Sequence, residues 1–131
     1  MTAALVTPCP CDTGLPYAGC CGRWHAGPLH LQAPDAQALM RSRYSAYVLR
    51  LQHYLFDTWH LSTRPGELSR QEPGQRWLGL DVKRYVPVDG RHATVEFVAR
   101  SKLGGRAQRQ HEISRFVRED GRWFYVDGEI G

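Results

Sequence analysis

Past Cys21 the chain has no further cysteine: its four cysteines lie between Cys9 and Cys21, and the 109 residues after Gly22 contain none. That excludes a disulfide framework spread through the fold. A cationic leader is missing from Met1–Thr7, and no apolar run approaches the roughly 18 residues that a membrane-spanning helix requires. The expectation is a soluble, cytoplasmic chain with no membrane role. No Gly-rich phosphate loop, nucleophile elbow or HExxH occurs, so no familiar motif announces an enzyme, and that question stays open. Lysine is scarce too, at two of the 17 basic residues. The net charge of +4 and pI near 9.1 would admit an anionic partner. A basic balance built on arginine follows genome composition as readily as function, so nucleic acid is admissible but not favoured.

What the chain does have is concentrated in Pro8–Gly22, PCPCDTGLPYAGCCG, where Cys9, Cys11, Cys20 and Cys21 form a C-x-C-x8-C-C pattern. Four soft thiolates gathered by a short loop are what tetrahedral Zn²⁺ prefers. Gly14 and Gly22 are free to take φ > 0, while Pro10 and Pro16 restrict the unfolded loop and lower the cost of gathering ligands. Two disulfides, Cys9–Cys20 with Cys11–Cys21, or a clutch of free thiols, are the alternatives, and a reducing compartment favours the metal. His25 and His30 would substitute only for a displaced cysteine.

The spacing and its glycines resemble the SEC-C zinc motif found at the tail of the bacterial preprotein translocase motor. The likeness continues through LHLQAPDAQALMRSRYSAYVLRLQHYLFDTWHLSTRP and HEISRFVREDGRWFYVDG, where the chain resembles the YchJ-like family of small bacterial SEC-C proteins. The resemblance implies a zinc knuckle and linker over 1–30, then a cystatin-like domain of the nuclear-transport-factor-two type over 31–131. It also implies that the knuckle docks a protein or ribonucleoprotein partner, as SEC-C tails do. One departure is Asp12-Thr13, where the usual motif has Gly-Ser; the ligands are untouched but the loop geometry is altered.

Between Arg23 and Pro34 the sequence reads as a linker, with Trp24 and Leu29 as anchors. Asp35 is placed to cap a helix whose apolar positions, Ala36, Met40, Tyr44, Tyr47, Leu51 and Leu55, recur in steps of three and four. Arg41, Ser42, Ser45 and Gln52 fall elsewhere around it, and Arg43 lies at the boundary, able to reach inward. Asp57-Thr58-Trp59-His60 and the turn-rich 62–66 end the helical half, and Glu67–Gln75 reads as a short helix or loop. The last third alternates: Leu78, Leu80, Val82, Val86 and Val88, a turn at Asp89-Gly90, then Ala93, Val95, Phe97 and Ala99. Expected pairs are Val86 with Ala93 and Val82 with Phe97. A three-residue turn at Gly104-Gly105-Arg106 places Ile113 opposite Phe97 and Val117 opposite Ala93. A turn at Asp120-Gly121 then sets Val117 against Phe124 and Arg115 against Val126. The expected fold is α+β: a knuckle, then helices packed on a curved four-stranded antiparallel meander, a cone. Because the cone has its own core, metal removal is expected to loosen the knuckle alone. Phe116, Trp123 and Tyr125 fall on the outside, against knuckle, linker or a second subunit, so the chain is expected to be a monomer or homodimer.

Two functions fit. One is an adaptor that docks its partner through the knuckle. The other is a small-molecule binder or enzyme that uses the mouth of the cone. There Asp57 and His60 are the candidate acid–base pair, set against plain roles in helix capping and packing. The register also puts Arg84 and Arg115 on either side of Val95, where, with Tyr44 and His60, they would grip a carboxylate or phosphate unless acidic side chains at the rim neutralise them.

Overall fold

Asp35 starts the long helix as its sequence predicts, with extended backbone and a carboxylate that accepts the Ala38 N–H at 2.7 Å. The computed structural model describes residues 7–67 and 74–130, so most of the segment read as a short helix or loop at Glu67–Gln75 lies outside the described residues. Ahead of Asp35 come a 3-10 turn, Tyr17–Gly19, and a short helix α1, Gly22–His25. Trp24 anchors the linker in the core at 7% exposure, whereas Leu29 stands 48% exposed and anchors nothing.

The helix expected to run through Leu55 is two: α2 spans Ala36–Leu49 and α3 spans Gln52–Asp57. Arg50 takes the left-handed conformation at φ 60°. Leu51 N–H then reaches back to Ala46 O at 2.8 Å and Arg50 N–H to Tyr47 O at 3.3 Å, the paired bonds that close a helix in a Schellman turn. Helix α2 is buried on two sides. Met40 and Tyr44 face the sheet, while Ser42 and Ser45, both at 0% exposure, lie against Tyr54 of α3 and Cys9 of the cysteine loop respectively. A helix covered from two directions need not show one apolar stripe.

The sheet is a meander, β1 Arg76–Pro87, β2 His92–Leu103, β3 Arg106–Glu119 and β4 Arg122–Ile130, in the order β1-β2-β3-β4. Val82 pairs with Phe97 as expected, but bulges at Leu78 and Lys83 re-phase β1, so Val86 meets Thr94 and Tyr85 takes the inner position opposite Val95. The turn at Gly104-Gly105 has two residues, not three, and Leu103 pairs with Arg106. That single-residue slip turns β3 over. Glu112 now lies opposite Phe97 and Phe116 opposite Ala93, so Glu112, Ser114 and Phe116 point inward. Ile113, Arg115 and Val117 point outward. The Asp120-Gly121 turn and the Val117–Phe124 pair stand as expected, and a bulge at Val126 sets Arg115 against Asp127. With Phe116 turned in, Trp123 and Tyr125 follow it onto the core side. The exposed aromatic cluster expected on the outer face is therefore absent, and the argument for a second subunit that rested on it goes with it.

Beyond β4 the chain segment after α3 adds a short parallel bridge, Trp59 to Tyr125, with Tyr125 N–H donating to Thr58 O and His60 N–H to Tyr125 O. The buried side chains of loop and cone form one continuous cluster that runs from Cys9, Cys11, Cys20 and Cys21 through Leu39 and Met40 to Val95 and Phe116. That continuity argues against a knuckle that loosens alone. No helix among the described residues is long and apolar enough to cross a membrane.

Candidate metal centre and cavity

The loop closes on itself before any metal is considered. Pro8 and Pro16 form an antiparallel bridge, Cys9 N–H donates to Leu15 O at 2.9 Å and Tyr17 N–H to Thr7 O at 2.8 Å. The 3-10 turn and α1 then carry Cys20 and Cys21 back over Cys9 and Cys11. All four are free cysteines and buried, and their Sγ atoms lie within 4.8 Å of one another. Sulfurs about 2.3 Å from a tetrahedral ion stand about 3.8 Å apart, and Cys11 Sγ and Cys20 Sγ are separated by 3.6 Å. Hydrogen bonds from Cys11 and Cys21 pull the Cys9 thiol far below its usual range, while hydrogen bonds with Cys11 and Cys9, and burial, push Cys21 far above. The Cys9 thiolate is thus stabilised at the expense of Cys21. The donor set fits a closed, four-sulfur metal site with no open position.

Outer contacts hold the ligands. Thr13 Oγ1 lies 3.2 Å from Cys20 Sγ, and Ser45 Oγ, on α2, lies 3.5 Å from Cys9 Sγ. Arg41 Nη1 donates to Cys11 O at 3.0 Å. His25 has both ring nitrogens engaged, with Tyr17 Oη at 2.6 Å and Ser42 O at 2.8 Å. It is a strut between loop and helix, not a spare ligand, and burial lowers its pKa. Asp12, at φ 66°, takes the left-handed conformation that suits glycine, which is what the resemblance would place there. Its carboxylate accepts the Leu80 N–H at 3.1 Å.

A second feature is a cavity in the cone, where the sequence suggests a binding site but with a different lining. Between α2 and the concave face of the sheet lies a cavity of about 200 Å³. Its walls are aromatic: Tyr44 and Tyr47 from α2, Trp77 from β1, Phe97 from β2, Phe116 from β3, with Trp59 and Tyr125 closing one end. Two charged side chains project into it. Glu112, 9% exposed, accepts Ser114 Oγ–H at 2.5 Å, Gln110 Nε2–H at 3.2 Å and Tyr125 Oη–H at 3.4 Å. A Cβ on Gly128 would collide with Glu112 Oε2 and sit 2.7 Å from its Cδ, so the bare glycine makes room for the carboxylate. Arg43, 6% exposed, donates through Nη1 to Leu55 O at 2.8 Å and Thr58 Oγ1 at 2.6 Å. Its guanidinium lies 4.6 Å from the Tyr125 ring centre and 5.3 Å from that of Trp59. Burial lowers the Arg43 pKa, opposed by the surrounding tyrosines and Glu112.

Of the candidates named from sequence for acid–base chemistry or ligand binding, Tyr44 lines this cavity, and Asp57, His60, Arg84 and Arg115 do not. His60 sits outside it, 2.7 Å from both Glu119 Oε2 and Ser62 Oγ. Asp57 is exposed, borders the same shallow surface depression as His60, and is not hydrogen-bonded to it among the described residues. Arg84 is exposed opposite Glu96 on the outer face. Arg115, also outside, pairs with Asp127 at 2.5 Å and Glu129 at 3.1 Å. The arginine pair expected in the cone is therefore replaced by Arg43 and Glu112. For Arg43 the signal was its place beside the apolar face of α2. Glu112 gave none, because the expected register put it outside.

A cone of helices and meander with a four-cysteine loop folded against it is the architecture of an NTF2-like domain carrying a SEC-C-type motif. The family profile described as "YchJ, middle NTF2-like domain" matches residues 35–128, and the chain belongs to the YchJ-like family. It is 59% identical over 122 residues to a UPF0225 protein of Bordetella pertussis, covering 93% of this chain and 92% of that one. With a UPF0225 protein of Ralstonia nicotianae it shares 55% identity over 146 aligned positions, covering 99% of each. The solution structure of a SEC-C motif containing protein from Rhodopseudomonas palustris superimposes with a TM-score of 0.80 at 33% identity, over 94% of this chain and 98% of that one. A crystal structure of another, from Psychrobacter arcticus, gives 0.77 at 29% identity, over 95% and 83%.

Proposed function

We propose that the chain is a small-molecule-binding protein whose cone is the binding site and whose four cysteines hold a structural Zn²⁺. The observation that carries the first half is the burial of Glu112 and Arg43 in one aromatic-walled cavity. Buried charges are costly, and a protein that needed only a core would fill this space with apolar side chains. Support for zinc comes from the all-sulfur donor set and its spacing. When bound, the ion supplies a cross-link between the two ends of the loop; a four-sulfur site has no place for substrate. A cytoplasmic, reducing location agrees with thiolate ligation. Metal analysis of freshly purified, reduced protein should give one zinc per chain, and fragment screening by ligand-observed NMR should find binders displaced by Phe97→Trp, which fills the cone. Far less than one zinc, or binders indifferent to that change, would overturn the respective half.

A second reading, docking of a protein partner through the knuckle, is favoured by Leu15, which is 49% exposed at the loop's tip. Leu15→Asp leaves the ligands in place, so a specific partner lost with Leu15→Asp but retained with Phe97→Trp would establish this reading over the first. Light scattering distinguishes monomer from homodimer.

A further inference from the structure

We infer that the cone selects a small zwitterion of amino-acid type, with its ammonium against Glu112 and its carboxylate against Arg43. This rests on the reading of the cone as a binding site and names the ligand's chemistry. The two charges share one cavity, yet among the described residues they make no salt bridge with each other. Each is held by the protein in a way that leaves one side unused. Ser114, Gln110 and Tyr125 fix the Glu112 carboxylate, and Gly128 gives it room. Thr58 and the Leu55 carbonyl take only Nη1 of Arg43; among the described residues its Nε and Nη2 have no hydrogen-bond partner.

A guanidinium that cannot shed its proton, buried with donors to spare, matches an anionic oxygen pair. A carboxylate ringed by aromatic faces matches an organic cation, which gains from both charge and ring quadrupole. Glu112 and Arg43 already offset part of each other's charge across the cavity, and a ligand bearing one charge would pair with one of them and weaken that balance for the other, whereas a zwitterion answers both. Size sets the rest. About 200 Å³ is below the range of drug-sized pockets, roughly 300–1,000 Å³. Nucleotides and large cofactors are excluded on volume, and an apolar body of a few carbons is admitted.

The test uses the whole chain with its metal. Thermal melts and calorimetry are run with glycine, β-alanine, γ-aminobutyrate, δ-aminovalerate, leucine and phenylalanine, which vary charge separation and apolar body independently. Each best binder is compared with its amide, which lacks the anion, and its des-amino acid, which lacks the cation; indole serves as an uncharged probe. At least one zwitterion should raise the melting temperature, with both single-charge analogues weaker by roughly tenfold or more. Glu112→Gln should narrow the gap to the des-amino acid and Arg43→Lys the gap to the amide, each leaving the other gap in place. Should either variant fail to fold, the analogue comparison on the unaltered protein decides. Binding of indole or the single-charge analogues as tight as the zwitterion overturns this inference and leaves the cone as a binding site. If neither zwitterions nor indole bind, both readings fall.

Discussion

Asp12 Oδ2 accepts the backbone N–H of Leu80 at 3.1 Å, across 68 residues of chain, and fastens the cysteine loop to strand β1 beside its first bulge. The bond joins the two halves that the sequence suggests are separable. With Arg41 on Cys11 O, His25 on Ser42 O and Ser45 against Cys9 Sγ, it makes the loop a wall of the cone's own core. A residue in the left-handed conformation costs about 1 kcal/mol relative to glycine, and here the carboxylate offsets that by accepting an amide of the sheet's edge strand β1.

Removing the metal should therefore destabilise the whole chain in one transition. Four buried thiols without a cation lose the cross-link and leave part of the α2 core face loosely covered. Chelation, or Cys20→Ser with Cys21→Ser, is expected to cost about 3 kcal/mol or more and lower the melting temperature by roughly 10 °C or more. Calorimetry with and without chelator checks this; a separate minor transition, with the main one unmoved, would show the cone to be independent.

The register of β3 was the hardest part to read, and the reason is physical. In β1 and β2 one parity is clearly apolar, so Val82 opposite Phe97 was legible. In β3 the two parities are Ile113, Arg115, Val117 and Glu112, Ser114, Phe116, and neither is clean. The inner set carries Glu112 and Ser114 beside Phe116, all three lining the cavity. A sheet face that carries a site breaks the alternation on which register inference depends. The cysteine cluster was legible because its signal is covalent spacing, not periodicity. The break at Arg50 was not, since a left-handed residue other than glycine leaves no mark in the sequence.

The corrected register makes Phe116, 2% exposed, a core residue and turns Val117 toward the outer face. Phe116→Ala should cost about 3–5 kcal/mol and Val117→Ala about 1 kcal/mol or less. Urea melts of the two variants side by side settle it. The reverse order would restore the three-residue turn at Gly104-Gly105-Arg106.

Arg50 closes α2 at φ 60° although a glycine would do so without steric cost. Arg50→Gly should keep the Schellman turn and stabilise the fold by up to about 1 kcal/mol, part of the gain being offset by the freer unfolded chain. A clear loss in chemical denaturation would mean that the arginine side chain makes a contribution the turn geometry does not reveal.

Alkaline pH should unfold this protein through its tyrosines. Burial is the main cause that pushes Tyr44 and Tyr54 up to about 12, with Asp12 adding to the shift at Tyr44 and the Ser42 hydrogen bond and Arg43 opposing it at Tyr54. Burial likewise raises Tyr125. The folded-state values lie above the unfolded value of about 10, so the unfolded chain releases protons first as pH rises. The resulting stability is fully present below about pH 10 and drains away between about 10 and 12, each of Tyr44 and Tyr54 accounting for about 2–3 kcal/mol at the limit. Stability measured by denaturant should be level from neutral pH to about 9.5, then fall. Tyrosinate absorbance from Tyr44 and Tyr54 should appear late, coincident with unfolding. If Tyr44 and Tyr54 titrate near the ordinary tyrosine value while circular dichroism stays native, both are open to water and the closed wall that Tyr44 gives the cavity is wrong.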